Sequence, residues 1–166
     1  PVIGLTKPNV IPVNYKEIVY ITPTLKEVIS LVEAGADVIA FDGTMRERPN
    51  GAKLEELIKY IKINNRASMA DISTLEEGLN AEKLGANILS TTLSGYTQFS
   101  LNRGDDPDFE LLKQLVENTK LPVILEGRIW EPEKVTTAFE LGAHCVVIGS
   151  AITRPQLITK RFVQRG

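Results

Sequence analysis

Residues 121–156, LPVILEGRIWEPEKVTTAFELGAHCVVIGSAITRPQ, form the stretch that decides the fold, and they predict two buried strands joined by one helix. The run LPVILEG is apolar without alternation, which is typical of a strand covered on both faces of a parallel sheet. Pro132 suits the first turn of a helix, and Gly142 suits a left-handed residue just after its end. A second buried strand is expected at residues 145–148. The stretch is therefore one strand–helix–strand unit of an α/β sheet.

Residues suited to chemistry follow both strands of this unit. Glu126 and Gly127 end the first strand, whereas Gly149 and Ser150 end the second, with Arg154 close behind. Backbone amides beside glycine, a hydroxyl and a guanidinium together predict an anion site. Because parallel strands end at the same edge of a sheet, the sequence places a carboxylate beside a phosphate site.

The rest of the chain repeats the same unit. Six apolar runs alternate with helical patterns, and no linker or low-complexity segment interrupts them. Three joints between helix and strand carry Gly-Ala, in AGADVI, LGANIL and LGAHCV, at intervals of about 50 residues. The glycine suits a left-handed cap and the alanine permits a tight turn. Six strands in a single domain suit either a doubly wound open sheet or part of an eight-stranded (β/α) barrel.

Composition limits the partners. The formal charge of −2 and the pI near 5.6 give no electrostatic reason to expect nucleic acid or an anionic membrane. A single histidine, His144, and a single cysteine, Cys145, argue against a zinc site. We interpret Cys145 as a small core residue, and one cysteine favours a reducing, cytoplasmic location. No apolar run approaches the roughly 20 residues of a membrane span, and no signal peptide is visible.

Charged residues end four of the six predicted strands, namely Lys7, Asp42, Asp71 and Glu126. In either architecture these strand ends converge on one rim. A lysine enclosed by a low-dielectric wall can act as a base, and a carboxyl in a similar setting can return the proton. Held on opposite faces of one carbon beside a carbonyl, such a pair inverts that carbon. The same lysine could instead form a Schiff base, which keeps a lyase open as an alternative.

Ordered motifs lie along the whole chain: VYITPTLKEV, ADISTLEEG, TTLSGYT, PDFELLK, EGRI and GSAITRPQLITKRF. They resemble the N-acetylmannosamine-6-phosphate 2-epimerase family, which consists of (β/α)₈ TIM barrels of bacterial sialic-acid catabolism. The resemblance runs from residue 1 to about residue 162. It implies an enzyme that interconverts N-acetylmannosamine 6-phosphate and N-acetylglucosamine 6-phosphate by deprotonation and reprotonation at C2, without a metal or a nucleotide cofactor.

The resemblance also implies roles for individual residues. Lys7 matches the lysine that exchanges the C2 proton, and Glu126 matches the acid/base glutamate. Asp71 matches an aspartate that orients the substrate or the lysine, and Arg154 matches an arginine that contacts phosphate. The remaining substrate-binding candidates are Asp42, Thr92, Tyr96, Gly127, Arg128, Gly149 and Ser150. At Asp42 the family pattern ALDAT is replaced by AFDGT.

One departure from the family concerns the number of units. Family members carry two further βα units before PVIG, whose strand ends supply a glutamine and an arginine to the site. We therefore expect residues 1–166 to be a single barrel domain that covers strands three to eight, either as a fragment or as a truncated protein with two unpaired sheet edges. The expected partner is an amino-sugar phosphate, and the expected assembly is a homodimer. Two alternatives stay open: a phosphate-binding barrel of another chemistry, such as a Schiff-base lyase or a synthase, and a module that binds sugar phosphate without turning it over.

Overall fold

A six-stranded parallel sheet is the centre of the computed structural model, which describes residues 1–101 and 104–163. The strands are β1 (Ile3–Gly4), β2 (Val38–Asp42), β3 (Ala67–Asp71), β4 (Ile88–Ser90), β5 (Val123–Glu126) and β6 (Cys145–Val147). Each strand pairs in parallel with the next one along the chain. A doubly wound sheet reverses its strand order at one point, and this sheet does not. The doubly wound alternative is therefore wrong, and the fold is an α/β half-barrel.

Five helices connect the six strands and pack on one face of the sheet, and two more follow the last strand among the described residues. They are α1 (Leu25–Glu33), α2 (Leu54–Ile63), α3 (Leu75–Leu84), α4 (Phe109–Asn118), α5 (Pro132–Glu140), α6 (Ser150–Thr153) and α7 (Pro155–Val163). Single turns of 3₁₀ helix at Pro49–Gly51 and Thr91–Leu93 follow β2 and β4. The predicted alternation of strand and helix is confirmed. None of the helices within residues 1–101 and 104–163 combines the length and the apolarity that a membrane crossing requires.

Helix ends follow local capping chemistry. Pro107 is a residue type that suits the first turn of a helix, but α4 starts at Phe109, because the Asp108 carboxylate accepts a hydrogen bond from the Leu111 amide at 3.0 Å. Helix α5 opens with Pro132 as predicted, and the chain leaves it through Gly142, whose φ is 93°. Short loops thus deliver each strand to the sheet with its carboxyl end at the same rim.

The core lies mainly between the sheet and the helices. Ile39 and Phe41 of β2 are fully buried there, in one large apolar cluster with the inner faces of the helices. Ala40, between them, points to the opposite face and packs with Met69 and Ile124 in a small second cluster. This period of two is the alternation of a strand buried on both faces, with helices outside and a small apolar layer inside the curve of the sheet.

The two outer strands differ from the prediction. Within the described residues, β1 pairs only with β2, and β6 pairs only with β5. The apolar run PVIGLTK predicts a buried strand over residues 1–7, but β1 has only two residues, and Val2, Ile3 and Leu5 are exposed. Cys145, interpreted as a core residue, is also exposed. Both positions lie on strands that pair on one side only among the described residues, and an apolar run does not reveal whether its strand is flanked on both sides.

Candidate active site

A cavity of about 350 Å³ opens at the carboxyl ends of the strands. It brings together most of the predicted site residues: Lys7, Thr92, Tyr96, Glu126, Gly127, Arg128, Gly149 and Ser150. Asp71, Asp42 and Arg154 are not among the residues that line it. No cluster of three or more His, Cys, Asp or Glu side chains suited to a metal ion occurs among the residues that the structure describes.

Glu126 is fixed at the end of β5 through its backbone. Its amide donates to the Thr91 hydroxyl at 3.1 Å, and that hydroxyl donates to the Glu126 carbonyl at 3.0 Å. Gly127 and Arg128 follow with φ of 104° and 58°, so the chain turns sharply away and leaves the carboxyl at the cavity. Burial raises the pKa of Glu126, while the Thr92 hydroxyl and the Lys7 ammonium act in the opposite direction. The carboxyl is thus inclined to keep a proton.

Asp71, at the end of β3, is fully buried and interacts electrostatically with this carboxyl. The Thr92 hydroxyl donates to Asp71 Oδ1 at 2.8 Å and forms a second hydrogen bond with the Ser90 hydroxyl at 2.8 Å. Its Oδ2 has no hydrogen-bond partner among the described residues. Burial raises the pKa of Asp71 well above its ordinary value, and the negative charge of Glu126 adds to the effect. Two carboxyls so close together favour a protonated Asp71.

Lys7 lines the cavity, but its surroundings differ from the expectation. The residue is exposed, whereas the sequence predicted a lysine enclosed by a low-dielectric wall. The cause is the position of Lys7 just beyond β1, an edge strand that pairs on one side only among the described residues. Its charge still reaches both Glu126 and Asp71, because it lowers the pKa of each. The amine therefore shares the cavity with Glu126 and acts electrostatically on both carboxyls.

Tyr20 and Trp130 also line the cavity and were not predicted. Burial raises the pKa of Tyr20, so its phenol stays neutral and can donate a hydrogen bond. The motif VYITPT contained Tyr20, but nothing in the sequence showed that this loop returns to the strand ends. Trp130 follows EGRI and could have been found only by assuming that the turn after β5 continues along the cavity wall.

The prediction that Asp42 binds substrate is corrected by the structure. The Asp42 carboxylate is fully buried and is occupied by the protein itself. It accepts hydrogen bonds from the Thr44 amide at 3.0 Å and hydroxyl at 2.6 Å, and it pairs with the Arg46 guanidinium at 2.5 Å. The predicted position of Asp42 at a strand end is correct, but its negative charge is paired with the positive charge of Arg46.

The two predicted arginines have different surroundings. Arg128 lines the cavity, donates to the backbone carbonyls of Ser94 and Asp106, and lies 5.8 Å from the centre of the Tyr96 ring. Arg154 is exposed and lies outside the residues that line the cavity, because the short helix α6 carries the chain past the rim before it is reached. Its predicted contact with phosphate stays a prediction.

The arrangement can move a proton beside a carbonyl. The amine of Lys7 and the protonatable carboxyl of Glu126 share one cavity. The hydroxyl of Thr92, which also lines this cavity, donates a hydrogen bond to the second, buried carboxyl, that of Asp71. The glycines and Ser150 lie at one side of the same cavity, where backbone amides suit an anion.

The chain resembles known proteins over nearly its whole length. A protein-family model described as "Putative N-acetylmannosamine-6-phosphate epimerase" matches residues 1–165. A Clostridium perfringens protein with the description "Putative N-acetylmannosamine-6-phosphate 2-epimerase" is 53% identical over 162 residues, which is 98% of this chain and 71% of that protein. A Clostridioides difficile protein with the same description is 49% identical over 165 residues, which is 99% of this chain and 71% of that protein.

A solved structure shows the same likeness in three dimensions. The N-acetylmannosamine-6-phosphate 2-epimerase from Clostridium perfringens superposes with a TM-score of 0.92 and 50% sequence identity. The match covers 100% of this chain and 70% of that chain. All six strands and the cavity at their ends thus fall within the region of similarity.

Proposed function

The chain belongs to the N-acetylmannosamine-6-phosphate epimerase family, and we infer that it interconverts N-acetylmannosamine 6-phosphate and N-acetylglucosamine 6-phosphate with Lys7 and Glu126 as the two proton-transfer groups. The observation that carries the assignment is their position, since the amine and the carboxyl line one cavity from different strand ends. The sugar would lie between them with C2 within reach of both.

The reaction needs one proton removed from C2 and another delivered to the opposite face. In the open-chain sugar C2 neighbours the C1 carbonyl, so removal of its proton leaves an enolate whose charge rests on the C1 oxygen. Starting from one epimer, the neutral amine of Lys7 takes the C2 proton and the Glu126 carboxylic acid returns one to the other face. Starting from the other epimer, Glu126 takes the proton as a carboxylate and the Lys7 ammonium returns one. Burial raises the pKa of Glu126 and so supports its use as an acid near neutral pH.

The phosphate would lie at the glycine-rich side of the cavity. Gly127, Gly149 and Ser150 line this side, and backbone amides beside glycine suit a phosphate because no side chain blocks the approach. Arg128 also lines the cavity and adds positive charge. Arg154 belongs to the proposal as a phosphate contact that forms only if the exposed side chain turns towards the rim. On the sugar side, Thr92 and Tyr96 supply hydroxyls at the cavity wall.

Exchange with solvent tests the two roles separately. Incubation with N-acetylmannosamine 6-phosphate in deuterated water should place deuterium at C2 of the product, as read by proton NMR. In the Glu126→Gln protein, Lys7 can still remove the proton of one epimer and return deuterium to the same face. We therefore expect the Glu126→Gln protein to label that epimer without converting it. The Lys7→Ala protein should label only the other epimer, also without converting it. Full conversion by either variant would contradict the assignment.

A Schiff base is the outcome that the same experiment must separate from proton transfer. Borohydride treatment in the presence of substrate should leave the mass of the protein unchanged, because Lys7 acts as a base and forms no imine. A stable mass increase located at Lys7 would instead support the lyase alternative.

Three further proposals concern the whole protein. We place the six strands as strands three to eight of a (β/α)₈ barrel, in line with the 70% of the solved epimerase chain that the match covers. We propose a homodimer because Ile152, Phe162 and Val163 on the last two helices are exposed and apolar, and light scattering of the purified protein tests this. A lone cysteine, unable to form a disulfide within the chain, supports a cytoplasmic location.

A further inference from the structure

Residues 8–20, called here the bridging segment, connect the two residues that flank one side of the cavity. The segment starts directly after Lys7 and ends at Tyr20, and both of these residues line the cavity. Its base is closed by Thr6 and Thr22, since the Thr6 amide donates to the Thr22 hydroxyl at 3.1 Å and the Thr22 amide donates to the Thr6 carbonyl at 3.0 Å. The position of the segment therefore bears on the shape of the proposed sugar site.

The first part of the bridging segment, residues 8–16, has little apolar packing, whereas Val19 near its end is buried. Val10, Ile11 and Val13 are exposed, with 81% of the Val10 surface open to solvent. Among the described residues, the hydrogen bonds that tie its middle to the rest of the protein all end on the carbonyls of Tyr15 and Lys16. Few buried contacts and few hydrogen bonds characterise a segment that opens easily, so these carbonyls decide whether it stays in place.

Arg46 supplies most of these hydrogen bonds. Its Nη1 donates to the Tyr15 carbonyl at 3.0 Å and to the Lys16 carbonyl at 3.1 Å, and the Gln98 amide adds one bond to the Lys16 carbonyl at 3.2 Å. The Arg46 side chain itself is almost completely buried. A buried guanidinium is stable only when its donors are satisfied, and the other two nitrogens of Arg46 are satisfied as well.

Asp42 and Thr44 hold the guanidinium in the orientation that reaches the segment. Arg46 Nε donates to the Thr44 hydroxyl at 3.0 Å, and Nη2 pairs with the Asp42 carboxylate at 2.5 Å. This arrangement explains the buried aspartate at the end of β2, which does not line the cavity at the strand ends. The charges of Arg46 and Asp42 also act on Tyr20, which lines the cavity. Burial raises the pKa of Tyr20, the Arg46 charge lowers it and the Asp42 charge raises it.

We propose that Arg46, oriented by Asp42, is a positioning residue that fastens the bridging segment and so keeps Tyr20 and Lys7 in place at the sugar site. The inference rests on the proposed function only in assigning a sugar to the cavity. The fastening itself follows from the hydrogen bonds. Lysine cannot replace arginine here, because one ammonium cannot donate in a plane to two backbone carbonyls, a hydroxyl and a carboxylate at once.

Arg48 offers a matched control in the same loop. It is also a buried arginine, and it donates to the carbonyls of Asp42 and Pro23 rather than to any residue of the bridging segment. A change of Arg48 to lysine thus removes a buried guanidinium beside the same aspartate without releasing the segment.

The experiment compares Arg46→Lys with Arg48→Lys by hydrogen–deuterium exchange and by kinetics. We expect Arg46→Lys to speed amide exchange in peptides that cover residues 8–20 at least tenfold, and to lower kcat/KM by about 10- to 100-fold because the site is misplaced. We expect Arg48→Lys, compared at the same distance below its own melting temperature, to leave exchange of the segment unchanged and kcat/KM within about threefold of the wild type.

The results separate the fastening role from a general loss of stability. Unchanged exchange of residues 8–20 in Arg46→Lys, or equal acceleration in both variants, would overturn the inference. If Arg46→Lys does not fold, Thr44→Val keeps the Asp42–Arg46 charge pair and removes the Nε acceptor together with the hydroxyl's hydrogen bond to Asp42. It should accelerate exchange in the same segment to a smaller extent. No acceleration in Thr44→Val would then count against the role of Arg46. An inactive wild-type protein would refute the epimerase, while the exchange data would still decide whether Arg46 holds the segment.

Discussion

Asp71 shows how a single residue can serve a site at the expense of stability. Its carboxyl is fully buried, and one of its oxygens has no hydrogen-bond partner among the described residues. It also interacts electrostatically with a second carboxyl, that of Glu126. Burying a charge in this way is unfavourable, so the group favours its neutral form. The single hydroxyl that reaches it, from Thr92, lowers its pKa but does not cancel the effect of burial. A residue kept under such conditions is more easily explained by chemistry than by packing.

The Asp71→Asn protein should therefore be more stable than the wild type at neutral pH and less active. In the folded protein the pKa of Asp71 lies well above the unfolded value of 3.8. The folded state consequently binds more protons between these two values, so wild-type stability is highest below the unfolded pKa and falls as pH rises towards the folded pKa. Asparagine has no proton to lose and escapes this penalty. We expect a gain on the order of 1 kcal/mol, or about 3 °C, at pH 7.

Thermal unfolding of both proteins between pH 4 and pH 8 measures the effect. The difference in melting temperature should be small near pH 4 and should grow with pH. A difference that does not change with pH would show that the stability of Asp71→Asn has another origin. Activity provides the second readout, because the variant should lose turnover under the conditions in which it gains stability.

At the scale of elements, local capping chemistry was the most predictable part of the chain. By residue type, either Ser73 or Thr74 suits the N-cap of α3 together with Glu76 or Glu77, and the structure selects Thr74 and Glu77. Glu77 Oε2 accepts from the Ser73 amide at 2.8 Å, the Ser73 hydroxyl at 2.7 Å and the Thr74 amide at 3.1 Å. The Thr97 hydroxyl then donates to the Ser73 hydroxyl at 2.9 Å, which ties the loop after β4 to this helix start.

A charge-neutral Glu77 should weaken the start of α3. In Glu77→Gln the side-chain oxygen accepts the same amides without a negative charge, and the new NH₂ group is buried beside donors. We expect a loss of about 1–2 kcal/mol, or roughly 3–6 °C in melting temperature. Glu76→Gln is the matched control, since Glu76 is exposed in the same first turn and its change should stay within about 0.5 kcal/mol. Equal losses in both variants would show that the capping network contributes nothing beyond the helix dipole.

Loops and sheet edges set the limit of sequence-based prediction. The strand ends at Asp42, Asp71 and Glu126 were predicted because each follows an apolar run, and the structure confirms all three positions. The role of Asp42 could not be predicted, because its partner Arg46 becomes close only when the loop after β2 folds back. The exposure of Cys145 could not be predicted either, since it depends on which strands flank β6. Periodicity reports how a residue alternates within its element, whereas these features depend on contacts between distant parts of the chain.

At the scale of the whole molecule, curvature of the sheet assembles the site. Lys7 follows β1 and Glu126 ends β5, which are separated by four strand spacings. In a flat sheet this separation would be about 19 Å, at about 4.8 Å per strand. Both residues nevertheless line one cavity of about 350 Å³. The sheet must therefore curl, and the half-barrel is a requirement for bringing the amine to the carboxyl as well as a way to bury the core.

Because the site spans the sheet from one edge towards the other, we expect activity to disappear before the fold does. Strand β1 consists of two residues, and the bridging segment that follows Lys7 exposes Val10, Ile11 and Val13, whereas β3 and β4 pair on both sides. The part of the chain that positions Lys7 should thus open at a lower free energy than the sheet as a whole.

Titration with urea tests this order of events. Epimerase activity should be lost at a lower urea concentration than helical circular dichroism. The fluorescence of the single tryptophan, Trp130, should follow the circular dichroism, because Trp130 lies on the β5 side of the cavity with Glu126. Added sugar phosphate should bring the activity midpoint closer to the unfolding midpoint, because a ligand that contacts both sides of the cavity stabilises the closed edge. Coincidence of all three transitions without ligand would show that β1 unfolds together with the sheet, and that Lys7 is held as firmly as Glu126.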